Sequence, residues 1–175
     1  MKKAIVCGVV GLLVALVTAA WADPHALTVG VRRQVDHSAF VELPYGDGDL
    51  SYLLAYEYHE QAAFWQLGAS YTPEVSGTNT TDAAVDSVIT PQLNLIFKDK
   101  IWRAGLGVLD GYQQAPSGGT NDWTGIYWQF IVGAEVPVRK FSVGVQAFYT
   151  FHRWQDLNEF DAKDIEYGGS LSYHF

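Results

Sequence analysis

From residue 26 to its end the chain alternates apolar with small or polar side chains at every second position, in eight separate segments. A two-residue period places successive side chains on opposite faces of a strand, so it specifies sheet with one greasy face. In SYLLAYEYHE the apolar set is Tyr52, Leu54, Tyr56 and Tyr58, opposite Ser51, Leu53, Ala55 and Glu57. In FSVGVQAFYTFH it is Phe141, Val143, Val145, Ala147, Tyr149 and Phe151, opposite Ser142, Gly144, Gln146, Thr150 and His152. The segments ALTVGVR, FWQLGASYT, SVITPQLNLIF, IWRAGLGVL, IYWQFIVGAEV and EYGGSLSYHF follow the same rule, and no stretch beyond Ala22 keeps a helical period.

Alternation alone does not decide which face is buried. A sheet face in water normally carries many Lys, Glu, Asp and Arg. Here the non-apolar face is mostly Gly, Ser, Thr, Gln and Asn, which suit a crowded interior, while Trp, Tyr and Phe gather at the strand ends of the other face. An apolar band bordered by aromatics is what a barrel presents to lipid. The connections alternate between long ones, such as PEVSGTNTTDAAVD, and short ones, HEQA, KDK and RK. Acidic residues collect in the long connections (Asp47, Asp49, Asp156, Asp161 among them), and Lys98, Lys100, Arg139 and Lys140 in the short ones. An even number of strands then brings both chain ends to the short-turn rim. The expected fold is an all-β, eight-stranded, up-and-down antiparallel transmembrane barrel over residues 23–175. Pro91, inside the fourth segment, cannot donate to a ladder, and a local bulge near it is expected.

The first 22 residues read as a cleaved export signal: Lys2 and Lys3, an apolar run from Ala4 to Val17, then Ala20-Trp21-Ala22. Cleavage there removes Cys7, the only cysteine, which lies too early to carry a lipid, so no thiol or disulfide chemistry is expected. Losing two of the 11 basic residues leaves nine against 19 acidic ones, a net charge of −10 that disfavours nucleic acid as a partner.

Together the signal, eight segments, short/long alternation and aromatic terminus resemble the small OmpA/OmpX-type outer-membrane barrels of Gram-negative bacteria. The resemblance implies an outer-membrane location, contact with membrane lipid and lipopolysaccharide, and a monomer. It also implies that Leu171, Tyr173 and Phe175 form the terminal signal read by the barrel-assembly machinery.

An eight-stranded barrel is just filled by its own side chains, which disfavours a wide pore. Near the short-turn rim the inward set includes Glu57, Arg103, Glu135 and His174, where Arg103 against Glu57 or Glu135 would offset buried charge. Near the long-loop rim it includes Arg32, Thr150, His152 and Glu166. A His, a Glu and a hydroxyl could form an acyl-transfer site, and FSVGVQAFYTFHRW loosely resembles the penultimate strand of the lipid A deacylases. In that family a His-x-Ser pair faces lipid; here Tyr149 and Phe151 hold those positions, His152 has inward parity, and no His-x-Ser occurs. Asp47 and Asp49 in YGDGDLS lack the regular spacing of a calcium loop and read as a turn. No phosphate loop, HExxH, GxSxG or CxxC is present, and neither a cofactor nor a metal is expected. The expected function is non-enzymatic: envelope structure, or surface interaction through four long acidic loops. A lipid A-modifying enzyme and a narrow solute channel are the alternatives.

Overall fold

The computed structural model describes residues 24–36, 43–77, 84–116 and 119–175. The export signal expected over residues 1–22 lies outside the described residues. Eight strands form one closed antiparallel barrel in chain order: β1 (His25–Arg33), β2 (Leu50–His59), β3 (Ala63–Pro73), β4 (Ser87–Asp99), β5 (Trp102–Gln114), β6 (Asp122–Val138), β7 (Phe141–Phe151) and β8 (Ile165–His174), with β8 returning to β1. Two 3-10 turns, Trp154–Glu159 and Ala162–Asp164, lie between β7 and β8. Closure pairs every strand on both sides, which removes the exposed edges an open sheet would leave.

Successive ladders are staggered. Partners run His25, Tyr58, Trp65, Leu95, Leu106, Phe130, Tyr149, Ile165; extending the β8–β1 register carries this row to Val35, ten residues beyond its start. A stagger of ten over eight strands, at ~3.3 Å per residue and ~4.8 Å between strands, tilts the strands by about 41° and gives about 2.5 Å of height per residue.

The face assignment follows the expected parity. Leu67, Val145, Val132 and Tyr52 point outward and are exposed, whereas Thr28, Glu57, Gln66, Asn94, Gln129 and Ser172 point inward and are buried. Outward strand positions carry no charge except Asp99 at the short-turn end and Arg33 and Asp110 at the other. The charge-free zone between them is about 20 Å tall at the rise per residue above.

Pro91 behaves differently from expectation. It faces outward and keeps register with Ala69 of β3, and on its β5 side the ladder skips two positions, between Ile89–Tyr112 and Gln92–Leu109, without a shift. The bulge lies two strands further on, in β6, where three steps from Ile126 to Trp123 oppose two from Asp110 to Tyr112. Gly125 takes φ 91° there, the left-handed region that favours glycine. The extra residue restores outward parity to Trp123, which packs on Tyr112 with ring centroids 5.0 Å apart.

The long connections are less free than four exposed loops would be. The connection after β1 turns back into the mouth: Leu43 and Tyr45 are buried with Val85, Val88, Leu109 and Tyr127. Tyr45 Oη lies 2.6 Å from Thr90 Oγ1. Asp49 ties this connection to the next, accepting from the backbone N–H of Gly46 (2.8 Å) and Ser76 (3.0 Å) and from Ser76 Oγ (2.7 Å). Asp49 thus serves a turn, and among the described residues no group of acidic and His side chains is placed to hold a metal.

Candidate functional site

The inward polar side chains form a column along the barrel axis: a hydrogen-bonded chain runs from Arg32 to Lys98, and the Arg103–Glu135 pair stands beside its short-turn end. Arg103 Nη2 donates to Glu135 Oε1 at 3.2 Å, and its Nη1 donates to the carbonyls of Lys100 (3.1 Å) and Trp102 (3.0 Å). Of the two carboxylates expected near Arg103, the structure therefore pairs Glu135. Glu57 is held another way, by hydrogen-bond donors. Its Oε1 accepts from Thr28 Oγ1 (2.7 Å) and Gln66 Nε2 (2.8 Å), and its Oε2 lies 2.8 Å from His59 Nε2.

Hydrogen-bond polarity can be assigned from the ends inward, because guanidinium and ammonium only donate and a carboxylate only accepts. Arg32 Nη1 donates to Gln129 Oε1 (2.9 Å), Gln129 Nε2 to Asn94 Oδ1 (2.8 Å), Asn94 Nδ2 to Gln66 Oε1 (2.8 Å), and Gln66 Nε2 to Glu57. Arg32 and Glu57 force all three amides to face the same way. A second relay reaches Glu57 from the short-turn rim: Lys98 Nζ is 3.3 Å from His59 Nδ1, which leaves the proton on Nε2 to be given to Glu57. Two cations thus converge on one carboxylate through neutral groups, consistent with a costly buried charge held by several donors.

Around this column the inward side chains are mixed. Phe64, Ile96, Ile131 and Phe148 form an apolar layer, with the Arg32 guanidinium 4.2 Å over the Phe148 ring and His59 stacked on Phe64 at 4.5 Å. A Cβ at Gly107 would fall 1.8 Å from Asn94 Oδ1, so a larger residue there must displace the bonded Asn94 amide. At the long-loop end Arg32 also donates Nη2 to Thr150 Oγ1 (2.9 Å) and to Glu166. His152 does not join them; its ring lies 5.0 Å from that of Tyr127. His174 Nε2 is 3.0 Å from Ser142 Oγ, and its ring meets His59 edge-on at 5.1 Å.

The expected long-loop cluster is therefore brought together as Arg32, Thr150 and Glu166 without His152. The short-turn set divides into Arg103–Glu135, Glu57 and His174. Gln66, Asn94 and Gln129 link Glu57 to Arg32, and His59 links it to Lys98; the sequence signal for these is amides or basic groups at inward parity. A recess of about 660 Å³ opens at the short-turn rim, lined by His59, Lys98, Arg103, Glu135 and His174 among others. Tyr173 packs between Phe141 (5.1 Å) and Phe175 (6.2 Å), and Phe175 stacks on His25 of β1, so the C-terminal aromatics close the seam between first and last strands. Leu171 lies on the same outward face and is exposed.

Fold and interior define the class: an eight-stranded antiparallel closed β-barrel with a filled, polar core. No family model matches the chain, and no curated protein matches it.

Proposed function

We propose that the chain is an integral outer-membrane barrel of the OmpA/OmpX-like kind, with a structural or surface-interaction role and no catalysis. One observation carries this reading: the outward face is the apolar one. Val145 and Ile126 are 63% exposed and Leu67 62%, in a closed sheet that the described residues leave uncovered over most of its wall. Exposed patches of that extent are covered by another hydrophobic phase in working proteins. Hydrocarbon also demands that all backbone polar groups be paired, which barrel closure satisfies. The charge-free zone of about 20 Å is close to the apolar height of such barrels.

The interior supports the non-conducting reading, because the axis is occupied from Lys98 to Arg32 by side chains bonded to one another. The lipid-modifying alternative draws no support from His152, which lies apart from Glu166 and Thr150. On this reading lipid and lipopolysaccharide contact the wall, and the first two long connections, joined where Ser76 bonds Asp49, lie on the cell-surface face. The test is fractionation followed by heat-modifiable migration on a denaturing gel. A membrane-bound, heat-modifiable band is expected; a soluble monomer in detergent-free buffer overturns the reading. An unchanged lipid A mass spectrum on deleting the protein, and silent planar bilayers, are expected for the two alternatives.

A further inference from the structure

We propose that the connection between β7 and β8 is a lipid-contacting shelf, seated at the boundary between headgroups and acyl chains, and not a loop projecting into water. The inference rests on the membrane reading above and adds where this segment meets the bilayer.

Outward parity and burial disagree at one place only on β7: Tyr149 and Phe151 point outward, yet Phe151 is 0% exposed. Both belong to the buried cluster that includes Leu109 and Tyr127, and the connection adds cover of its own through Leu157, Trp154 and Phe160. Trp154 lies 5.2 Å from Phe151, 5.5 Å from Trp128 and 6.1 Å from Phe130, and Phe160 lies 4.8 Å from Tyr149. Trp128, Phe130, Tyr149 and Phe151 all belong to the outward set, so the connection lies against the outside of the wall. Room for it arises because β7 stops at Phe151, opposite Trp128, while β6 continues to Asp122.

Trp154 and Phe160 cover these rings yet remain 51% and 57% exposed themselves, continuing the apolar wall outward. Their level is informative. At about 2.5 Å of height per residue, Tyr52, Tyr71, Trp128, Tyr149 and Tyr167 lie within about 5 Å of one height. The first outward charges, Arg33 and Asp110, fall at that same height. The Tyr112–Trp123 pair stands roughly 10 Å higher on the β5–β6 hairpin. The shelf therefore coincides with the upper edge of the charge-free zone, where Trp rings are most stable in a bilayer.

Charge on the shelf fits a headgroup layer and not the acyl region. Asp156 accepts from the Arg153 backbone N–H at 2.6 Å and Asp161 from that of Lys163 at 2.9 Å, which holds the two turns. Arg153, Glu159 and Lys163 are exposed. The contact itself is made by rings, so it does not depend on an anionic lipid.

The full chain folded into phosphatidylcholine vesicles, with chains brominated or not, tests this. The emission lost on Trp154→Phe reports Trp154; it should be quenched by brominated chains, and iodide should quench it less than it quenches free tryptophan, as expected for an interfacial ring. Phe160→Trp should add emission quenched in the same way. Iodide quenching of both with no effect of bromine overturns the shelf. Val145→Trp separates the two claims: if it is quenched by bromine while Trp154 is not, the shelf alone fails, and if it is not quenched, the membrane reading fails with it.

Discussion

Moving one carboxylate along the polar column should reverse the polarity of every amide between. In Gln129→Glu the acceptor facing Arg32 is kept, but the donors to Asn94 Oδ1 (2.8 Å) and Gln92 Oε1 (3.1 Å) become acceptors. Asn94 can answer by flipping, which turns its oxygen onto Gln66 Oε1; Gln66 must then flip onto the carboxylate of Glu57, which can only accept. The conflict cannot be relieved locally and moves to the end of the chain. Two buried acceptor pairs left facing each other cost about 3 kcal/mol, taking 1–2 kcal/mol for each unmade bond. Adding Glu57→Gln supplies the missing donor there, while the new amide oxygen still accepts from His59 Nε2. The double variant should regain about 2 kcal/mol relative to the sum of the singles. Substitutions this far apart, with no shared contact, ordinarily add within ~0.5 kcal/mol. The assay is the urea midpoint of the folded, heat-modifiable band in lipid vesicles, with equal transition slopes for all four proteins. Additivity within error would refute the directed relay.

Glu135→Ala should cost about 3–5 kcal/mol by stranding the buried Arg103 guanidinium, whereas Arg103→Met with Glu135→Leu should be close to neutral; the same urea midpoints decide. Burial pushes the Tyr45 phenol above its ordinary value of 10.0, against the opposing effects of its Thr90 bond and the Arg32 charge. The protonated phenol is the form the fold favours, so its contribution is complete below pH 10 and is lost as pH rises toward the raised value. Tyr45→Phe should remove that alkaline loss and lower stability near neutrality by about 1 kcal/mol, read from midpoints at pH 8 and above 10. Gly107→Ala, which drives a methyl group into the Asn94 amide, should reduce the yield of heat-modifiable barrel sharply.

Much of this was legible because a strand writes its two faces directly into the sequence. The apolar rows through Tyr52 to Tyr58 and Phe141 to Val145, the eight strands, and the inward parity of Glu57, Arg103, Glu135 and Glu166 all follow from a period of two. Partner choice does not. Arg32 meets Gln129 and Glu166 only because the sheet closes with a stagger of ten, and the separations involved, 97 and 134 residues, leave no local trace. The missing N–H of Pro91 is visible in the sequence and points to a bulge there; the bulge occurs at Thr124–Gly125, where Asp110 Oδ1 accepts from the Gly125 N–H and Thr124 Oγ1 from the Gly111 N–H of the facing strand. The period of two puts Tyr149 and Phe151 on the outward face, but the connection that packs on them folds back onto the wall without a periodic signature. Tyr45 is hidden for the same reason: a loop residue that plugs the mouth reads, locally, like any other loop residue.

Single cysteines along β7 offer the plainest check of which way this sheet faces, since Cys7 is the chain's only native thiol. In lipid vesicles, cysteine at Val143 or Val145 should react with a bilayer-soluble maleimide and resist a charged one, while cysteine at Ser142 or Gly144 should resist both. Ready labelling of Val143 and Val145 variants by the charged reagent would place those side chains in water and contradict the outward-lipid orientation.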